Sequence, residues 1–452
     1  MYILIKNGNI INAEKTSKAD ILILDNKIVR IAKNISVTES TQIIDATQKY
    51  VIPGGIDPHV HMQLPTPAGP SSDDFLSGSI AALYGGTTTL LDFVTPSKGQ
   101  SLTTAIKNRK VEAEGTLTDY SFHVSPVEWK NTTGQELKDC IKNGITSFKV
   151  YLAYKDTVGL NYEDFYQVLK FVGKAGGLVT IHCEDGDKVE KLRNKFAEDG
   201  KISPEFHAKS RPAEFEALAV ENAIELAKKA GCPIYIVHVS SELSLKHIEE
   251  AQRNGQIVYA ETCPHYLLLD DSRYIGNFSE TVPYVISPPL RTKTDQNALW
   301  KAISKGTIFT VGTDHCPFNL KQKSIGVSDF RKIPNGAGGV EHRLSLLYTY
   351  GVLQNKITLN KWVDLCSRQA ANIFGLKSKG EIAIGKDADI VIWNPEFENT
   401  ISVKNHHQNC DLEIFEGFKT KGFAETVIKD GNVVVEDGKM NNNVSKGNLI
   451  YR

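Results

Sequence analysis

Nowhere does this sequence run through about 18 consecutive apolar residues without a charge, the length that a membrane-crossing helix needs. No spanning helix is expected. The first nine residues, Met-Tyr-Ile-Leu-Ile-Lys-Asn-Gly-Asn, lack the basic stretch and long apolar segment of an export signal, so the protein is expected to be soluble and cytoplasmic. Paired cysteines are missing too. The seven present (Cys140, Cys183, Cys232, Cys263, Cys316, Cys366 and Cys410) are odd in number, scattered and never spaced as C-x-x-C, which points to reduced thiols rather than disulfides. Neither charge is in excess: 52 Lys and Arg face 53 Asp and Glu, a net charge of -1, with no long like-charged run. That argues against a nucleic-acid or membrane-binding face and leaves a small molecule as the expected partner.

What the chain does have is length and core material. Its 452 residues, 41% of them hydrophobic, can build one large domain and a smaller one. Residues 1 to about 52 read as short strands broken by Asn7-Gly8 and Asp25-Asn26 turns, and the same texture returns around 388–393, 425–429 and 433–436. The two ends, 1–52 and 378–452, are expected to share one small β domain. Between them, from 53 to 377, apolar β-rich runs alternate with helical stretches as βα units do. Eight runs can be counted, at 55–61, 87–94, 120–124, 147–152, 178–182, 234–239, 257–262 and 308–313. Eight such units are the arithmetic of an α/β fold of the (β/α)8 TIM barrel type, whose active sites lie at the C-terminal ends of the strands. An open doubly wound sheet is the alternative, but it would gather reactive residues at one switch point instead of at nearly every strand end.

Those strand ends carry the chemistry. His59 and His61 close strand one; alternation turns i and i+2 to one face, so both imidazoles can reach one ion. Strand five ends in His182, strand six in His238 and strand eight in Asp314, while Lys149 lies inside the apolar strand four. Each of these residues alone has an ordinary reading, as a core histidine bonded to a carbonyl or a snorkelling lysine. Six on ends that converge in a barrel point to a two-metal site. A buried ammonium is costly unless paired or neutralised, and carbamylation by CO2 would turn Lys149 into a carboxylate able to bridge two cations. His315, which points the other way along the strand, and Asp92, Cys183, Cys316 and His265 are left out of the site.

At this point the chain resembles the binuclear amidohydrolases, and among them the dihydropyrimidinase and D-hydantoinase group of cyclic amidohydrolases. The likeness runs nearly end to end and is most specific in Gly-Gly-Ile-Asp-Pro-His-Val-His-Met-Gln, Phe-Lys-Val-Tyr-Leu-Ala-Tyr, Val-Gly-Thr-Asp-His-Cys-Pro-Phe and Lys-Ile-Pro-Asn-Gly-Ala-Gly-Gly-Val-Glu. The resemblance implies two divalent metal ions, with zinc favoured by the His-rich set. His59, His61, N6-carboxylated Lys149 and Asp314 would hold the first, and Lys149, His182 and His238 the second, with a hydroxide between them. It also implies Asp314 as general base and then acid, Tyr154 as oxyanion donor, and the backbones of Ser287 and Asn335 as grips on the ring amides. A sandwich-like terminal domain and a homotetramer belong to the same expectation. Where dihydroorotase-like members carry an arginine two residues after H-x-H, this chain has Gln63; allantoinase-like members tend to carry Asn-Glu-Pro, and this chain reads Met-Gln-Leu-Pro. The expected reaction is the opening of 5,6-dihydrouracil or dihydrothymine to N-carbamoyl-β-amino acids in pyrimidine catabolism, with hydantoinase activity. A D-hydantoinase or allantoinase with another natural substrate, or a non-catalytic scaffold relative, are the alternatives. The loops at 64–72 and 155–160 would set the preference for ring substituents.

Overall fold

Eight parallel strands, laid down in chain order and each paired with its predecessor, build the central sheet. In the computed structural model, which describes residues 2–37 and 41–452, they are Gly55–Val60, Thr87–Val94, Asp119–Val124, Ser147–Tyr151, Leu178–His182, Ile234–Ile236, Val258–Thr262 and Thr310–Val311. The sheet closes on itself: Val60 bridges His315 in parallel, and the His61 N–H donates to the His315 carbonyl at 2.8 Å. This is the TIM barrel expected from the eight apolar runs.

Helices cover the strands because their apolar residues recur at helical spacing. In Tyr162–Lys174 the buried side chains are Phe165, Val168, Leu169 and Val172, one stripe of i, i+3, i+4 and i+7, and the Asn161 side chain caps the start by accepting from the Asp164 N–H at 2.8 Å. The strands are buried on both faces, as a parallel sheet under helices demands.

Two strands are shorter than their apolar runs suggest. Strand six was expected to reach 239 and stops at Ile236; strand eight was expected over 308–313 and pairs only at Thr310–Val311. The backbone turns left-handed just beyond each, at His238 (φ 39°) and Asp314 (φ 50°), which ends the extended conformation and turns the side chain. Tyr154, after strand four, has φ 58°. Three chemically loaded residues thus sit in a backbone region that costs about 1–3 kcal/mol for a non-glycine residue, strain of the kind that clusters at functional sites.

Both ends of the chain meet in a second body of β-structure. A seven-stranded sheet pairs Ile390–Thr400 with Tyr50–Pro53, joining segments some 340 residues apart, and a four-stranded sheet is built from the first 45 residues alone. Ile3, Ile5, Ile21 and Ile23 of the smaller sheet pack with Val51, Ile390, Ile392 and Ile428 of the larger. The Asp430-Gly431 turn closes its hairpin in two residues, with φ of 48° and 70°, the geometry for which such dipeptides are selected. Buried Lys379 joins this body to the start of strand three by bonding Asp119 at 2.7 Å and also Asp389. That ionic joint lies at the end of the barrel opposite the site.

Candidate metal centre

His59, His61 and Asp314 offer ligand atoms within 4.8 Å of one another. Asp314 Oδ1 lies 3.0 Å from His59 Nε2 and 3.1 Å from His61 Nε2. His59 Nε2 nevertheless makes no hydrogen bond, and His61 Nδ1 is buried without a partner. Three ligand atoms this close together, with His59 Nε2 left unpaired, suit a cation between them. Alongside, His182 Nδ1 and His238 Nε2 are 2.9 Å apart, and the His238 ring stacks on His59 with centroids separated by 5.4 Å.

Lys149 completes the cluster. Its Nζ is buried with no hydrogen-bond partner, 4.9 Å from the centre of the Phe93 ring and 5.0 Å from that of Tyr151. Burial pulls the amine down to about 8 despite the attraction of Asp314 and Glu261, and its charge depresses the basicity of all four histidines. Four imidazoles and a carboxylate around an orphaned buried amine offer a donor set for divalent cations.

The electrostatics sort these side chains by neighbour. Burial disfavours the charged ring at His59, yet the Asp314 and Glu261 carboxylates prevail and raise it to about 8, while His61, with less compensation, is pushed down to about 4. His182 and His238 are both lowered, chiefly by burial. Burial works against the Asp314 anion, but His59 and His61 outweigh it and hold the carboxyl well below the usual range.

Behind the inner ring stands a set of carboxylates that single-residue reading of the sequence missed. Glu261, on strand seven, takes His59 Nδ1 at 2.7 Å, the His238 N–H at 3.1 Å and the Tyr235 hydroxyl at 2.7 Å. Strand seven thus supplies the group that orients the His59 ring and holds the His238 backbone. Glu184 takes His182 Nε2 at 2.8 Å and is held by Arg211 at 2.5 Å, which depresses it to about 2 in spite of burial. Asp57 bonds the His59 and Thr313 N–H groups at 3.2 Å each, tying strand one to strand eight. At His59 and His182 one imidazole nitrogen is thereby occupied and the other faces the centre, while Glu261 and Asp57 hold the backbones of His238, His59 and Thr313. The available sequence signal was a carboxylate at a strand end, too common to stand out. Replacing Glu261 by Gln is expected to lower metal affinity about 10–100-fold with the fold intact, measured by metal titration of the apoprotein and by circular dichroism.

A cavity of about 810 Å³ opens above this cluster and is lined by every residue singled out from the sequence: the four histidines, Lys149, Asp314, Tyr154, Ser287 and Asn335. Tyr154 reaches it from a tight loop in which its carbonyl accepts from the Val158 and Gly159 N–H groups at 3.2 and 2.9 Å. A Cβ on Gly159 would lie 2.0 Å from the Ala153 carbonyl oxygen, so only glycine closes this turn. The Tyr154 ring centre is 5.3 Å from that of His182 and 5.4 Å from the Arg211 guanidinium. Leu64, Pro65, Pro67 and Val158 give the cavity an apolar side. His315 turns away, as expected, although the left-handed turn at Asp314 and not strand alternation precedes it, and it bonds Asp73 at 3.0 Å.

Known proteins resemble the chain over its whole length. The D-hydantoinase of Geobacillus stearothermophilus is 43% identical over 453 residues, covering 99% of this chain and 96% of that one. Dihydropyrimidinase 2 of Caenorhabditis briggsae is 40% identical, covering 97% and 86%. The crystal structure of dihydropyrimidinase from Brevibacillus agri superposes with a TM-score of 0.98 at 40% identity, covering 100% of this chain and 99% of that one. Residues 50–434 match the profile described as "Amidohydrolase family". With a barrel mouth of four histidines, a buried lysine and an aspartate, and likeness over the full length, the chain belongs to the amidohydrolase family.

Proposed function

We propose that this protein hydrolyses cyclic amides, opening 5,6-dihydrouracil or dihydrothymine to N-carbamoyl-β-amino acids and 5-substituted hydantoins as further substrates. The observation that carries the reading is Lys149: a buried amine without a hydrogen-bond partner among the described residues, lining with all four histidines and Asp314 a cavity that also holds Tyr154, Ser287 and Asn335. Such a lysine is accounted for as a carbamate, formed when the neutral amine adds to CO2 and releases a proton. His59, His61, the carbamate and Asp314 would hold one divalent cation, and the carbamate, His182 and His238 a second, with zinc the preferred metal. When bound, this pair supplies a hydroxide near neutral pH and polarises the scissile carbonyl.

The chain's own groups do the rest. Asp314, ionised and held between His59 and His61, accepts the proton of the attacking water and returns it to the ring nitrogen as the C–N bond breaks. The Tyr154 hydroxyl donates to the oxygen that gains charge as the carbonyl carbon becomes tetrahedral. Backbone groups at Ser287 and Asn335 grip the ring amides, and Leu64 meets the ring substituent. The same reading takes 53–377 as the catalytic barrel, 1–52 with 378–452 as the accessory β domain, and a homotetramer as the assembly. A cytoplasmic location rests on the seven unpaired thiols. No helix among the described residues is long and apolar enough to cross a membrane.

The test is a comparison of kcat/KM for the zinc-reconstituted protein on dihydrouracil, a 5-substituted hydantoin, allantoin and dihydroorotate. Dihydrouracil is expected to be the best substrate and dihydroorotate the worst, because Gln63 offers no cation to a ring carboxylate. Preference for allantoin or a bulky hydantoin would keep the mechanism and change the pathway. No turnover with two metals bound would overturn the reading.

A further inference from the structure

Lys323 is a buried lysine that the proposed reaction leaves unused. It ends the short helix Leu320–Lys323 beyond strand eight and is 1% exposed. Its Nζ bonds two backbone carbonyls, Val285 at 3.0 Å and Pro334 at 3.2 Å, and no carboxylate among the described residues. Burial pulls this amine down to about 7. The neighbouring Val282, Val285, Phe330 and Ile333 form an apolar cluster, in which a methionine or leucine would pack without that penalty.

The two carbonyls identify what the amine does. Val285 stands two residues before Ser287, and Pro334 immediately before Asn335, so Lys323 touches both backbone segments that line the far side of the substrate cavity. The Gly336 N–H also donates to the Val285 carbonyl at 3.1 Å, so Asn335 is pinned from both sides. A Cβ at Gly336 would fall 2.3 Å from the Cys316 carbonyl oxygen, which holds this segment against the residues that follow strand eight. His207 secures the other segment by bonding the Ile286 carbonyl at 2.8 Å. Among these contacts, Lys323 is the side chain that spans the two segments.

We infer that Lys323 is a positioning residue for substrate recognition: its amine, shared between the Val285 and Pro334 carbonyls, fixes the spacing of the Ser287 and Asn335 backbones that grip the cyclic amide. This rests on the proposed reaction, since it assigns those two segments to the ring. The grips act on the ring before and during hydrolysis alike, so loosening them acts on binding more than on turnover.

Steady-state kinetics of full-length, metal-reconstituted K323M and K323Q on dihydrouracil and a 5-substituted hydantoin provide the test. K323M is expected to raise KM about tenfold, through loosened backbone grips on the ring, with kcat changed less than about threefold. Metal content stays at the wild-type value. K323Q keeps an N–H donor and is expected to fall between wild type and K323M. A KM of K323M within about twofold of wild type, whether or not its melting temperature falls, would overturn the role and leave lysine a packing element. Should K323M not fold, K323Q decides by the same criterion. An active wild type with unaltered KM in the variants defeats only this inference, whereas a wild type inactive on all four cyclic amides defeats the proposed reaction and this role with it.

Discussion

Replacement of Lys149 by Ala is expected to abolish hydrolysis, lowering kcat/KM by about three orders of magnitude or more, and to release metal during purification. Charge is the reason. Four imidazoles bring no negative charge to two dications, and among the ligand side chains Asp314 alone carries one. A carbamate on Lys149 would add a second anion with two oxygens, whereas the unmodified amine adds repulsion: its charge already depresses the basicity of His59, His61, His182 and His238. Alanine removes the repulsion together with the bridge, so the apoprotein should stay folded and lose little thermal stability. Metal analysis and a melting curve separate these effects. Short carboxylic acids such as acetate or propionate, added with zinc, should restore part of the activity by placing a carboxylate in the space left by the side chain. Intact-mass measurement of the wild type should show the mass of one CO2. Full activity in the alanine variant would remove the bridging carbamate from the mechanism.

How far the sequence could be read depended on the range of the forces involved. Apolar β-rich runs alternating with amphipathic helices are local, and all eight barrel strands were found from them. The strand-end residues were legible because a strand end is defined by its own residues, so His59, Lys149, His182 and Asp314 could be brought to one barrel mouth before any contact was known. Strands six and eight were drawn too long because the left-handed turns at His238 and Asp314 are imposed by the site they enter, and no residue-level propensity favours them there. Glu261 escaped for another reason: a lone carboxylate in a strand has no spacing signature, and its meaning appears only when His59, His238 and Tyr235, from strands one and six, are seen around it. Lys323 is the same case, because its two carbonyl partners are 38 and 11 residues away along the chain. The pairing of Ile390–Thr400 with Tyr50–Pro53 was foreseen only as a shared texture of the two termini, since register across so long a loop is set by packing.

Asp314→Asn should separate proton transfer from metal retention. The amide keeps the shape of the carboxylate but cannot take a proton at neutral pH, and one positioned acid–base group contributes about 10²–10⁴-fold to a rate. A loss in kcat of that order is therefore expected, with KM little changed, because the ring is gripped elsewhere in the cavity. Asp314 also stands 3.0 and 3.1 Å from His59 and His61, so a cation held by the three would bind more weakly in the variant. The His182 and His238 pair, which Asp314 does not touch in this way, should keep its own. Metal content near one ion per chain, with a deep kcat defect that excess zinc does not repair, is the expected pattern. Full recovery with excess zinc would reduce Asp314 to a ligand and move the proton acceptor elsewhere. Combined with Tyr154→Phe, the losses should fall short of the product of the single effects, because the carboxylate and the phenol would act on the same transition state and residues that work as a unit are not additive. Independent, multiplying losses would instead mean that the Tyr154 hydroxyl serves another step.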